Sequence, residues 1–149
     1  MIHLYTDGGC IGNPGPGGWA FVLVKEEQVI RYDKGAHKAT TNNQMELQAV
    51  IQGLSQANSI YPNEPIQVVT DSQYVKNGIT QWIHGWKKNG WKTASKQPVK
   101  NQELWTALDE ITQIVKPQWS WVKGHSGNQY NEQCDSLVHE AISTLDDKN

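Results

Sequence analysis

The chain lacks most of what would mark a secreted, membrane-bound or disulfide-stapled protein. Among its 149 residues there are two cysteines, Cys10 and Cys134. A chain of this length buries a core without covalent staples, so the two read as free thiols of a reducing compartment rather than as a bridge. No apolar run approaches the ~20 residues that span a bilayer. The opening segment Met1 to Asp7 has no basic stretch followed by a long apolar one, so a secretory leader is not expected and the expected location is cytoplasmic. Internal repeats, linkers and low-complexity tracts are also missing, which points to one domain over residues 1–149. A basic balance is missing too: the formal net charge is −2 and the pI about 6.2, where nucleic-acid-binding domains are commonly basic.

The distribution of charge reverses that last impression. Between Ser72 and Gln102 stand six lysines, Lys76, Lys87, Lys88, Lys92, Lys96 and Lys100, and no Asp or Glu. Positive potential is therefore concentrated in one segment, a basic handle within about residues 82–100, and the acids lie elsewhere.

Hydrophobic periodicity orders the rest. Ile2 to Thr6 alternates as a strand, and the Gly- and Pro-rich stretch Gly8 to Gly18 reads as a turn. Trp19 to Val24 and Val29 to Lys34 follow as two more strands of a meander, joined by polar residues. Leu47, Val50, Ile51 and Leu54 at i, i+3, i+4, i+7 mark a first helix, with Thr41, Asn42 and Asn43 offering N-cap side chains. Ile66 to Thr70 is a fourth strand, and a helical stretch begins at Ser72. Trp82 to Lys88 reads as a short helix ended by Asn89-Gly90. Leu104, Trp105, Leu108, Ile111 and Val115 give another helix before Pro117. Trp119 to Val122 is a fifth strand, and Cys134, Leu137, Val138 and Ala141 mark a last helix. This order predicts an α/β fold with a five-stranded mixed sheet, strands 1–3 antiparallel, 4 and 5 parallel to 1, and helices on both faces. Ligands of such sheets gather at the carboxyl ends of the strands.

Two strands end alike, in Thr6-Asp7-Gly8 and Thr70-Asp71-Ser72. Side by side and parallel, they bring both carboxylates to one edge, although a strand-terminal Asp is also common turn and capping chemistry. Glu46 is expected in the first turn of its helix, facing the sheet edge or else serving the helix dipole. Asp135 comes early in the last helix beside apolar Cys134, where an unpaired carboxylate is costly to bury and a multivalent cation removes the cost. Clustered carboxylates without Cys/His ligand spacing describe a hard-oxygen site for magnesium or manganese, suited to phosphodiester cleavage.

Four fragments then carry a specific resemblance: Thr6 to Cys10 with Gly12 to Gly18; Thr41 to Leu47; Thr70 to Val75; and Trp121 to His125 followed by Asn131 to Asp135. In this order along the whole chain they resemble bacterial type 1 ribonuclease H, and the resemblance implies the ribonuclease H-like fold and cleavage of the RNA strand of RNA/DNA hybrids. It implies Asp7, Glu46, Asp71 and Asp135 as metal-binding acids for two Mg2+ ions, with Mn2+ as a substitute. It implies that His125 assists proton transfer or product departure, where a loop histidine is otherwise a solvated bystander. It places Cys10, Gly12, Asn13, Asn42, Asn43 and Gln73 on the RNA side, and Thr41 and Asn101 on a phosphate of the DNA strand. Turn and capping roles explain Thr41, Asn42 and Asn43 equally well. Departures are small: Gly9 stands where Ser is frequent, Gln44 where Arg is frequent, and Cys134 where Ala is common.

The segment Trp82 to Lys92 alternates bulky aromatics with cations. Trp82, Trp86 and Leu104 pack together as a satellite core in one reading. In the other, Lys87, Lys88, Lys92 and Lys96 meet phosphates and Trp82 packs on deoxyribose. The same fold also hosts transposases, integrases and junction resolvases, so fold and acids alone leave the substrate open. A hybrid-binding module without catalysis has no use for the acids, and a magnesium-binding signalling domain has none for the handle. No apolar stripe is left over to demand a partner subunit, so a monomer is expected.

Overall fold

The computed structural model describes residues 1–93, 95–123 and 128–146, apart from the side chain of residue 146. Five strands form one sheet: β1 (Ile2–Cys10), β2 (Gly15–Lys25), β3 (Gln28–Thr40), β4 (Ile66–Thr70) and β5 (Gln118–Trp121). Their order across the sheet is β3-β2-β1-β4-β5. The first three are antiparallel neighbours, while β4 runs parallel to β1 and β5 parallel to β4. That is the mixed topology expected from the element order, and it brings the carboxyl ends of β1 and β4 side by side.

Alternation along the strands splits the core in two. Ile2, Leu4, Phe21, Leu23 and Val68 pack with Leu47, Val50 and Leu54 of α1 (Asn42–Ile60) and with Trp105 and Leu108 of α4 (Gln102–Val115). The intervening Tyr5, Ala20, Val22, Val24 and Val69 pack with Cys134, Leu137, Val138 and Ile142 of α5 (Gln129–Asp146). A period of two along each strand thus covers both faces with helices.

The strands at the first hairpin are longer than the expected turn over Gly8 to Gly18 allows. β1 continues to Cys10, and Gly8, Gly9 and Cys10 pair with Trp19, Gly18 and Gly17. The glycines belong in the ladder because a helix presses on it: a Cβ on Gly8 would stand 2.5 Å from the Glu46 nitrogen and from the Met45 carbonyl carbon. The turn shrinks to the residues between β1 and β2. The second hairpin closes through Glu26 (φ 52) and Glu27 (φ 65), both left-handed, the two-residue geometry that follows strand twist but is normally met by Asn and Gly.

Between β4 and α4 the helical path is broken into α2 (Gln73–Asn77), a wide π turn (Gly78–Trp82) and α3 (Ile83–Lys88). The wide turn sits over the buried Trp105 ring, whose Cη2 lies 1.9 Å from where a Cβ on Gly78 would stand, so only glycine fits. Both cysteines are free, and among the described residues no helix is long and apolar enough to cross a membrane.

Candidate active site at the carboxyl ends of β1 and β4

Asp71 directly follows β4, whereas Asp7 lies inside β1 opposite Ala20 of β2 and not at the strand's end as expected. It stands two residues past Tyr5, where the parallel pairing of β1 with β4 stops, so the two carboxylates still share one edge. Glu46 reaches them from α1, whose first residue is Asn42, so it stands in the second turn and not the first. Thr41 rather than Asn42 or Asn43 is the N-cap, and its hydroxyl accepts from the Gln44 N–H at 3.2 Å. One turn deeper, Glu46 is too far along for a role at the helix dipole, and the glycine contact at Gly8 sets its carboxyl beside Asp7.

One ligand oxygen from each of Asp7, Glu46 and Asp71 lies within 4.8 Å of the other two. Glu46 is only 7% exposed. Burial pushes its carboxyl well above the usual range, and the negative charges of Asp7 and Asp71 add to that, while hydrogen bonds from the Ser72 hydroxyl and the Gly8 N–H oppose it. Three carboxylates this close do not all ionise unless a cation joins them. Among the described residues the clustered donors are carboxylate oxygens alone, which fits a hard divalent ion rather than zinc. The trio meets the requirement that the sequence suggested.

The cleft over these acids is lined by Asn42, Asn43, Ser72, Gln73 and Tyr74 as well, and a second, smaller recess joins Asp7 and Asp71 to Asn131 of α5. Ser72, buried, also caps α2 by accepting from the Val75 N–H at 3.2 Å. Asp135 stands apart from the trio: it is 36% exposed and meets His139 Nε2 at 3.5 Å. Burial raises the pKa of the neighbouring Cys134 thiol most, with Asp7, Asp135 and Asp71 adding to the rise and a hydrogen bond with the Val22 backbone opposing it. His125 lies outside the described residues. Ser72, Tyr74 and Asn131 fall within the fragments that carry the resemblance but were given no role from the sequence, because a cap, an aromatic and a helix asparagine show what they border only when the topology gathers them.

Around the cleft, the Cys10 thiol donates among the carbonyls of Gly12, Gly15 and Thr40 at 3.2–3.3 Å, and Asn13 Oδ1 accepts from the Asn42 N–H at 3.2 Å. Asn101 precedes α4 in the left-handed conformation without capping it, which forgoes roughly 1 kcal/mol of helix stabilisation. Its amide is engaged instead with Gln44 and Tyr74. Gly9 has room for a larger residue, the nearest neighbour of an added Cβ being Val138 Cγ1 at 3.5 Å.

The basic handle divides between the two readings. Trp86, Trp91 and Leu104 pack on the main core and Val99 is buried. Trp82 is 37% exposed, with its ring edge-on to Tyr74 and tilted against Trp86. Lys88, Lys92 and Lys96 are exposed. Among the described residues Lys87 is the exception in meeting an acid, Asp109 of α4, at 3.4 Å.

The comparisons with known proteins agree with this arrangement. The family described as RNase H matches residues 1–143. A ribonuclease H from Treponema denticola is 51% identical over 158 residues, covering 97% of this chain and 98% of that protein. One from Aeromonas hydrophila is 56% identical over 146 residues, covering 95% and 90%. Among solved structures, LC9-RNase H1, described as a type 1 RNase H with the type 2 active-site motif, superposes with a TM-score of 0.82 at 30% identity, covering 96% of this chain and 72% of that one.

Proposed function

The chain belongs to the ribonuclease H family, and from that premise we propose that it is an endonuclease hydrolysing the RNA strand of RNA/DNA hybrids without regard to base sequence. The observation that carries the proposal is the oxygen trio of Asp7, Glu46 and Asp71 within 4.8 Å, at the floor of a cleft rimmed by small polar side chains. Asp7, Glu46 and Asp71, with Asp135 at the margin, are the residues that would hold Mg2+ or Mn2+. Two such ions, when bound, lower the pKa of water and neutralise charge on the phosphate.

The protein's own part is position. The Gly8 N–H donates to Asp7 Oδ1 at 3.0 Å and, with the Ser72 hydroxyl, to Glu46, so two of the acids are aimed before substrate arrives. Cys10, Gly12, Asn13, Asn42, Asn43 and Gln73 border the RNA strand, whose 2′-hydroxyls distinguish it. Thr41 and Asn101 hold a phosphate of the DNA strand, and Trp82 packs on deoxyribose. Lys88, Lys92 and Lys96 meet further phosphates at once, Lys87 after leaving Asp109. Water attacks phosphorus, the bond to the 3′ oxygen breaks, and His125 helps move the proton or clear the product. The ends are then 5′-phosphate and 3′-hydroxyl. The enzyme acts as a monomer of one domain in the cytoplasm.

Purified protein in magnesium, given labelled hybrid, single-stranded RNA, duplex RNA and duplex DNA side by side, should cut only the hybrid. Cleavage of duplex DNA would instead place it with the transposases and resolvases. Hybrid binding without cleavage would make it a binding module.

A further inference from the structure

A relay of side-chain hydrogen bonds runs from β3 to α4 beside the acid cleft. The Thr40 hydroxyl donates to Gln44 Oε1 at 2.8 Å. Gln44 Nε2 donates to Asn101 Oδ1 at 3.1 Å, and Asn101 Nδ2 donates to the Tyr74 hydroxyl oxygen at 3.0 Å. The buried indole of Trp105 donates to the same oxygen at 3.0 Å. The direction is uniform: each amide accepts at its oxygen and passes a donor on. An indole N–H can only donate, so the Tyr74 oxygen accepts from Trp105 as well as from Asn101, and its own proton points elsewhere.

The relay has one consequence for Asn101. Its oxygen is occupied by Gln44, and its nitrogen is turned toward Tyr74, the residue that borders the acid cleft. An amide nitrogen carries two hydrogens, so one N–H of Asn101 remains for a ligand. A phosphate needs donors and is repelled by a carbonyl oxygen, so the polarity of this amide decides its grip. Gln44 lies with Asn101 on the wall of a neighbouring open cleft and is only half-buried, so it tolerates substitution without loss of the core.

We propose that Gln44 is the positioning residue of the DNA-strand contact: by occupying the Asn101 oxygen, it presents the Asn101 nitrogen to a phosphate. The proposal rests on the reading above in which Asn101 holds the DNA strand. It also gives the departure at position 44 a task, since a glutamine both accepts from Thr40 and donates to Asn101, which no purely cationic side chain does.

The test is steady-state cleavage of a hybrid by Gln44→Met, Gln44→Glu, Asn101→Ala and the double variant Gln44→Met/Asn101→Ala, with Gln52→Met on the outer part of the same helix as control. Melting curves check that each is folded. Gln44→Met keeps the length and removes the donor, and KM should rise by about three- to tenfold, the range of a single hydrogen bond, with the loss in KM rather than kcat. Gln44→Glu still accepts from Thr40 but forces the Asn101 amide to turn over, so its KM should rise further. Asn101→Ala should raise KM, and adding Gln44→Met to it should do nothing more. If Asn101→Ala raises KM and Gln44→Met does not, the positioning role is overturned alone. If the Gln44→Met effect persists undiminished beside Asn101→Ala, Gln44 acts by another route. If Asn101→Ala has the wild-type KM, the DNA-strand reading falls and the proposal with it.

Discussion

Replacing Glu46 by Gln separates what the acid trio costs the fold from what it does for the reaction. The side chain is buried, and burial with the charges of Asp7 and Asp71 holds its carboxyl well above the ordinary range. In the absence of divalent ions the folded protein therefore holds this proton more tightly than the unfolded chain. The pH slope of stability follows protons bound unfolded minus folded. Between the ordinary glutamate range and the raised folded value, stability falls as pH rises, by up to about 1.4 kcal/mol per pH unit for this one group. Below the ordinary range Glu46 is protonated in both states and contributes no slope. Two unit charges at the 4.8 Å limit of the trio repel by about 3.5 kcal/mol at an effective dielectric near 20. Relief of about 2–3 kcal/mol, allowing for partial protonation, corresponds to roughly 4–12 °C in melting temperature for a chain of this size. Without divalent ions Glu46→Gln should melt above the wild type by that margin near about pH 8, and the gap should close toward about pH 4.5. Magnesium should raise the wild-type melting temperature more than the variant's, and cleavage should be lost in the variant. The assay is thermal unfolding followed by circular dichroism across that pH range, with chelator and with magnesium. Superimposable pH profiles for the two proteins in chelator would refute the reasoning.

Neutralising Lys88, Lys92 and Lys96 should weaken hybrid binding uniformly across sequences and flatten its salt dependence by about one unit of slope per lost contact, while Lys87, already paired with Asp109, should add less; an unchanged salt slope would reduce the lysines to a solvated face. His125→Ala should lower turnover roughly ten- to a thousandfold without abolishing it; a variant as inactive as Asp7→Asn would make the imidazole indispensable, and a fully active one would make it a bystander. Glu27→Gly should stabilise the protein by about 1 kcal/mol, because the position is left-handed and a side chain there is strained, and the Tyr130 hydroxyl still finds the backbone carbonyl of residue 27. A melting temperature at or below the wild type would show that the turn is not strained.

The strand order and the pairing of Asp7 with Asp71 were legible because two similar strand ends and a crossover between them leave little freedom. The length of β1 was not: glycines read as a turn from local conformation, while here they are placed by how closely α1 approaches the sheet at Gly8. Glu46 stands in the second turn and not the first because the helix starts from Thr41, the earliest of its three candidate caps. Asp135 was grouped with the other acids from its place beside Cys134 and from resemblance; in the fold it meets His139, and the three acids within 4.8 Å of one another are Asp7, Glu46 and Asp71. The Lys87–Asp109 pair joins residues distant in sequence, and a charge count of the handle alone does not reveal it. The relay through Gln44, Asn101 and Tyr74 was hidden for a different reason, since amides and phenols declare their partners only when three separate elements meet.

Hybrid cleavage at the acid trio is tested most directly with a hybrid labelled on each strand in turn, incubated with wild-type protein and with Asp7→Asn in magnesium and in chelator. The wild type should cut only the RNA strand, only with the ion, and leave 5′-phosphate ends, while Asp7→Asn binds the hybrid and leaves it whole. Near-normal cleavage by Asp7→Asn in magnesium, cleavage of the DNA strand, or a 2′,3′-cyclic phosphate product would contradict it.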